Sequence, residues 1–281
     1  MNFIYVADFI NEEASGGAEQ NDRELISILV DIGHSVTQFK SDEISMDFVK
    51  ENKDSFFIIS NFVFMFNRMK QYIANNIKYI KIEHDHQYLV TRNPSDYDDY
   101  RAPLEDLKDI AFYNSAKAVF VQSSLHEDII RKNLGLTNVY NVAGNLWSLE
   151  ILDLLQNLGQ QKKKDKVSIM NSPTAHKGTS NAVRYCSHTG LDYELLDAQS
   201  HEDFLTAMAQ NDKFIFLPET VETLSRIVCE ARMMDISVIT NGNIGAASEK
   251  WFGELKGAAL CDMMRAKRLE VANEVISLAT A

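Results

Sequence analysis

Short apolar runs alternate along the chain with stretches in which apolar residues return every three or four positions. The runs predict strands at 3–7, 35–39, 56–59, 79–83, 118–122 and 139–142. Stretches 19–32 and 125–134 carry the helical period between them. Stretch 149–160 is also helical, and Gln161, Lys162, Lys163, Lys164, Asp165 and Lys166 then form a polar run that reads as a solvated linker. Beyond it the alternation restarts, with strands at 167–170, 193–196, 214–217 and 237–240 and helices at 177–188, 202–210, 224–234 and 246–252. A last helical stretch covers 263–279. Such alternation builds a mostly parallel sheet with helices on both faces. The break predicts two α/β units: residues 1–160, joined by the C-terminal helix 264–281, and residues 161–263. Ligands of open parallel sheets sit beyond the carboxyl ends of the strands, so a cleft between two facing units is the expected site.

Length agrees with this division, since 281 residues suffice for two domains of roughly 100–150 residues each. The net charge of −12 disfavours nucleic acid and anionic membranes as partners, although a local basic pocket leaves nucleic acid open. Cys186, Cys229 and Cys261 are odd in number and form no C-x-x-C, which fits reduced core thiols and a cytoplasmic location. The first residues reach an acid at Asp8 without a basic region and read as a buried strand, not a signal peptide. The longest apolar stretch, 56–66, is interrupted by Ser60 and Asn61, so no transmembrane segment is expected.

Four places carry candidate chemistry. The first is the loop from Glu12 to Glu19, where Gly16 and Gly17 precede a helix; paired glycines admit close backbone approach, and a helix N-terminus attracts phosphate. A simple tight turn explains this loop equally well. The second is Glu83-His84-Asp85-His86 at a predicted strand end. Such a cluster can position a hydroxyl, bind a metal or be satisfied structurally, and alternate strand residues point to opposite faces. The third is Lys177 at a helix start, where a cation is unfavourable unless an anion is bound. The fourth is the segment from Pro218 to Ala231. Here Glu222 in a loop and Glu230 two turns into a helix can face one cleft, with Thr223, Leu224 and Ser225 at the helix start. A helical surface explains any single Glu, but Glu230 lies among Ile227, Val228, Cys229 and Ala231, and an acid among apolar neighbours needs a partner.

These residues resemble the retaining glycosyltransferases of the GT-B fold, glycosyltransferase family 4 in particular. Glu222 and Glu230, with seven residues between them, match the E-x7-E signature, set between an apolar strand with Pro218 and the strand 236–240 with Gly242. Gly16-Gly17-Ala18-Glu19 resembles the family's N-terminal glycine loop, Lys177-Gly178 its Lys-Gly pair, His84-Asp85 its His-Asp, and 118–123 its strand ending in serine. The resemblance spans most of the chain and implies two Rossmann-like domains facing across a cleft. It also implies the roles. Glu230 would bind the donor ribose and Glu222 the donor sugar. Lys177 and Arg226 would neutralise the diphosphate, helped by backbone N–H groups at Gly16, Gly17, Thr223, Leu224 and Ser225. His84, or His86, would lie near the reacting sugar and the acceptor.

The implied reaction moves a sugar from a nucleotide diphosphate, UDP by family frequency, to a hydroxyl acceptor that the sequence does not name. No cofactor and no metal are expected. The chain departs from the family at Ser172, where an Arg is usual, and at Thr223, where a Gly is usual; Arg184 or Arg226 would then assist the diphosphate. Competing readings are a nucleotide-sugar epimerase or hydrolase of the same fold, a metal-dependent hydrolase built on Glu83, His84, Asp85 and His86, and a non-catalytic nucleotide-sugar binder. Residues 61–72, aromatic and Met-rich, fit a core helix or an acceptor lip.

Overall fold

The computed structural model describes residues 1–10, 16–197 and 199–281. The chain divides into two units, Met1–Leu146 with Lys267–Ala281, and Trp147–Ala266. The sequence boundary expected at 160 therefore moves back to 146. The helix at 149–159 buries Leu152, Leu155 and Leu158 with Val228, Met233 and Leu260, which gives it to the second core.

The first unit runs β1 (Asn2–Ala7), α1 (Gly17–Asp31), β2 (Ser35–Lys40), α2 (Met46–Glu51), β3 (Phe56–Ile59), α3 (Asn67–Asn76), β4 (Lys78–Ile82), α4 (Ile110–Ser115), β5 (Val119–Val121), α5 (Ser124–Leu134) and β6 (Val139–Asn141). The strands pair in parallel in the order β2-β1-β3-β4-β5-β6. Both faces are covered, as the continuous apolar runs require. Phe3, Tyr5, Phe56 and Ile58 face Leu25, Ile28 and Leu29 of α1, together with Val271 and Val275 of the C-terminal segment. Ile4, Val6, Phe57 and Ile59 face Met69 and Ile73 of α3 and Tyr113 of α4. Chain order reverses between β1 and β3, so their carboxyl ends form the topological switch point. The helices α2 and α4 escape the sequence reading because six residues are too few to show a 3.6-residue period. Helix α3 begins at Asn67, so only part of the 61–72 stretch is helical.

The second unit runs α6 (Leu149–Gly159), β7 (Lys164–Met170), α7 (Thr179–Thr189), β8 (Tyr193–Leu196), α8 (His201–Met208), β9 (Asn211–Phe216), α9 (Arg226–Met233), β10 (Ser237–Thr240), α10 (Lys250–Glu254) and the first part of α11 (Gly257–Thr280). Its four strands are parallel in the order β10-β9-β7-β8, and the switch point lies between β7 and β9. Phe214 and Phe216 enter one core with Trp147, Val228 and Met233; Val167, Ile169 and Ile215 enter the other with Ala182 and Cys186. The lysine run is not a linker. Lys163 donates to the carbonyl of Gly159 (3.0 Å) at the end of α6, and β7 begins at Lys164. A Lys at a helix C-terminus satisfies carbonyls left without an intrahelical partner. Among the described residues no helix is long and apolar enough to cross a membrane.

Candidate functional site

In the second unit the loops that leave β7 and β9 meet at the switch point. Gly178 permits the meeting. It adopts φ +73°, and a Cβ there would overlap the Leu217 carbonyl oxygen and stand 3.1 Å from Pro218 N. Close by, Glu219 N donates to His176 O (2.8 Å). This approach brings Lys177 Nζ to 2.7 Å from Glu222 Oε1, with both side chains partly exposed. Glu222 is held by its backbone: its N–H donates to Asn243 O (2.8 Å), and its carbonyl accepts from Gly245 N (2.9 Å).

Glu230 lies in the second turn of α9 and is only 2% exposed. Its Oε1 accepts from Trp147 Nε1 (2.9 Å) and His201 Nε2 (3.1 Å), with Arg226 Nε 3.9 Å away. Burial works to raise its carboxyl, but the His201 hydrogen bond and charge, Arg226 and Trp147 outweigh it, and the net shift is downward. The same contact raises His201 above the ordinary imidazole range. The Arg226 guanidinium lies 4.4 Å from the centre of the Trp147 ring. Arg226 thus points at Trp147 and Glu230, whereas Lys177 alone of the two cations is paired with Glu222. Helix α9 starts at Arg226, so Thr223, Leu224 and Ser225 are its approach and not its first turn as expected. Leu224 is buried in the core, and Ser225 takes the left-handed φ of +73°. Arg184 bonds to Asn181 Oδ1 (3.1 Å) and lines a surface pocket of about 430 Å³ with Ser172 and Thr174.

In the first unit Gly16 caps α1, Gly17 opens it, and the Glu19 carboxylate lies against Gly16. Glu12, Glu13, Ala14 and Ser15 of this loop lie outside the described residues. The Glu83–His86 cluster sits where β4 ends, but its members part company. Glu83 Oε2 pairs with the buried Lys81 Nζ (3.1 Å) and accepts from Tyr113 OH (2.5 Å), and Oε1 accepts from Gln87 N (2.8 Å). His84 Nε2 meets Asp22 Oδ1 (2.7 Å) on α1, and Gln122 Nε2 lies 3.0 Å from His84 Nδ1. Asp22 also accepts from Ser60 Oγ (2.6 Å), which ties His84 to the β1–β3 switch point. Burial works to raise Asp22; the His84 charge and hydrogen bonds from His84, Ser60 and Tyr5 prevail and lower it. Asp85 pairs with Arg92. His86 turns inward to Tyr88 OH (2.9 Å), its ring 4.9 Å from that of His126, and burial holds it down to about 4. Side chains with four separate sets of partners do not chelate. Among the described residues no group of three or more His, Cys, Asp or Glu could hold a metal ion, which removes the basis for the metal-hydrolase reading.

No protein-family model matches the chain, and no curated protein matches its sequence. Solved structures do match. Anabaena HepE in complex with UDP is 12% identical, with a TM-score of 0.55 over 100% of this chain and 98% of that one. Sucrose-phosphate synthase from Thermosynechococcus elongatus is 11% identical, with a TM-score of 0.57 over 99% and 96%. The catalytic domain of starch synthase IV from Arabidopsis thaliana, bound to ADP and acarbose, is 9% identical, with a TM-score of 0.55 over 100% and 95%.

The chain shares the fold of these GT-B glycosyltransferases.

Within that fold the sequence reading named Glu222, Glu230, Lys177 and Arg226, and the second unit brings all four to the carboxyl ends of its switch strands or the helix that follows. It missed Trp147, His201 and Asp22. Trp147 and His201 carry no motif and stand 83 and 29 residues from the carboxylate they serve. Asp22 had one readable sign: an acid on the buried face of α1, beside Asn21 and Leu25.

Proposed function

We propose that this chain is an enzyme, a retaining glycosyltransferase of the family 4 type. It moves a sugar from a nucleotide diphosphate, UDP in the first instance, to a hydroxyl acceptor. The observation that carries the reading is the Lys177–Glu222 pair at the switch point of the second sheet, with Glu230 buried in the helix that follows. Solved neighbours bound to UDP and to ADP support a nucleotide diphosphate as the donor.

In this reading a diphosphate oxygen replaces Glu222 at Lys177, and a donor-sugar hydroxyl replaces Lys177 at Glu222. Glu230 takes the ribose. As the bond from the anomeric carbon to the diphosphate oxygen breaks, its electron pair goes to that oxygen. Lys177 and the positive end of α9 stabilise the new charge, a preorganised effect that is often the largest in catalysis. The acceptor oxygen adds to the anomeric carbon on the same face, and its proton passes to the diphosphate. Side-chain and helix charge take the part a metal would otherwise play. His84, with both ring nitrogens engaged, supplies a fixed dipole at the β1–β3 switch point of the first unit. Its neighbour His86, neutral near pH 7, stays in the core.

A thermal-shift screen against UDP, GDP, ADP and their sugars, with and without EDTA, tests the donor. A nucleotide at about 100 times its Kd stabilises the fold by about 2.7 kcal/mol. One nucleotide should give a shift that EDTA leaves intact. Glu222→Ala should then lower transfer by about 10-fold or more, the scale of one lost hydrogen bond between a charged group and a sugar hydroxyl. Absence of any nucleotide shift, or full transfer by Glu222→Ala, refutes the reading.

A further inference from the structure

The turn after β3 is apolar where turns are ordinarily polar. Met65 N donates to Phe62 O (3.1 Å) and closes a turn with Val63 and Phe64 at its central positions. Gly, Pro, Asn, Asp and Ser dominate such positions. The outer residues, Phe62 and Met65, are buried, whereas Val63 is 42% and Phe64 52% exposed. Phe66, the residue before α3, is 60% exposed, and Phe9, just beyond β1, is 43% exposed. The Phe9 and Phe64 rings meet edge to face with their centres 6.2 Å apart. The order of the sheet puts both loops at the β1–β3 switch point.

These apolar tips stand on a braced backbone. The buried Asp8 carboxylate accepts from Val63 N (2.9 Å), from Phe64 N (3.2 Å) and from the Ser41 hydroxyl. Lys81 Nζ donates to Ser60 O (2.9 Å) and lies 4.9 Å from the centre of the Phe62 ring. Gln87 Nε2 donates to Asn61 Oδ1 (2.7 Å). Folding does not call for apolar side chains at 63 and 64, since polar ones satisfy an exposed turn as well. Apolar surface gathered in one exposed patch marks a binding face. A phenylalanine buries about 150–250 Å² when fully covered, so the three exposed rings offer on the order of 300 Å². A stable protein interface covers about 800 Å² per partner. The patch is therefore too small to hold a second copy of the chain and suits one small molecule. From Ser55 to Ile82 the chain carries no acid, and the Arg68 guanidinium lies 5.9 Å from the centre of the Phe66 ring, so the flank is positive.

We propose that this patch binds the apolar body of the acceptor. The hydroxyl that receives the sugar then belongs to a molecule with an alkyl or aryl part and no positive charge, not to a plain sugar. Phe9, Val63, Phe64 and Phe66 touch the apolar part and set the specificity. The inference rests on the glycosyltransferase reading above and deepens it by naming the acceptor class. The place agrees, because a ligand of an open parallel sheet sits at the carboxyl ends of the switch strands.

The test measures Kd by calorimetry, without nucleotide, for butyl, hexyl and octyl β-D-glucoside, each below the concentration at which it forms micelles. Every methylene that the patch covers should tighten binding by about fourfold. Phe64→Ser and Phe9→Ser should flatten the series to less than about twofold per methylene. Leu149→Ser, at an exposed apolar residue of the second unit, should leave it intact. Octylammonium should bind more weakly than octyl glucoside, because Arg68 repels it. A Kd independent of chain length overturns the proposal, as does a series that survives both Phe64→Ser and Phe9→Ser. Sedimentation that shows a wild-type dimer and a Phe64→Ser monomer also overturns it, since a second copy then covers the patch. Co-sedimentation of wild type, but not Phe64→Ser, with phosphatidylcholine vesicles does the same by making the occupant a bilayer. An intact chain-length series in a protein that responds to no nucleotide overturns the donor-site reading alone, and the apolar binding face stands.

Discussion

Gly178→Ala offers a direct measure of how the two site loops are held together. Gly178 has φ +73° and ψ 24° at the start of α7, and Gly190 has φ +69° and ψ 21° at its end. Their backbone demands are nearly identical, but their surroundings differ. A Cβ on Gly190 meets nothing within 4 Å, whereas a Cβ on Gly178 meets the Leu217 carbonyl carbon at 2.6 Å and overlaps its oxygen. Placing Ala in the left-handed region costs about 1–2 kcal/mol at either position. At Gly178 the loops must also separate, at about 1–3 kcal/mol for overpacking. The Glu219 N to His176 O hydrogen bond adds about 1 kcal/mol if it is lost. The expected loss is about 3–6 kcal/mol for Gly178→Ala against about 1–2 kcal/mol for Gly190→Ala. Urea unfolding followed by tryptophan fluorescence is the suitable assay. Trp147 and Trp251, the two tryptophans of the chain, both lie in the second unit, so the signal reports that unit alone. Equal losses for the two variants would refute the argument that backbone contact, and not the dihedral angle, makes Gly178 necessary.

Two further outcomes follow from buried charge. Lys81→Met leaves the Glu83 carboxylate buried without its cation and should cost about 3–5 kcal/mol in denaturant unfolding, most of it recovered in Lys81→Met with Glu83→Leu. Burial already raises Glu83, so stability linked to it is full below its unfolded value and falls as pH rises through the folded one; the Lys81→Met penalty should shrink in acid, and a pH-independent penalty would contradict this. The His201–Glu230 pair behaves differently, because His201 is raised and Glu230 lowered. Its contribution should be lost as pH rises through the raised His201 value and also as pH falls through the lowered Glu230 value. Melting curves across pH should show the alkaline fall in stability in wild type and lack it in His201→Gln.

Much of the fold was readable in the chain. Nearly every predicted strand lies within a residue or two of an observed one, because strands covered on both faces leave continuous apolar runs such as Phe56–Ile59. The long helices were readable for the same reason, through the period of residues such as Leu152, Leu155 and Leu158. Reading failed where local pattern and tertiary demand diverge. The lysine run looks like a solvated linker, yet it closes one helix and begins an interior strand of the second sheet. The start of α9 was placed two residues early because Leu224 is apolar and helix-compatible, whereas its burial in the core comes from the approach loop.

The chemistry divides along the same line. Glu222, Glu230 and Lys177 were singled out from sequence because each stands in a recognisable relation to a strand end or a helix, and such relations are local. Their partners were not. That Lys177 meets Glu222, that Trp147 and His201 share one oxygen of Glu230, and that Asp22 holds His84 are facts about segments 29 to 83 residues apart. The four acidic and imidazole side chains of 83–86 look like one cluster on paper. The chain leaves β4 at Ile82 and turns through these four residues, and each side chain finds its own partner. Sequence determined which elements form and which groups are chemically capable. Only the tertiary structure decided which of those groups meet, because hydrogen bonds and ion pairs are set by distances of about 3 Å that chain separation does not encode.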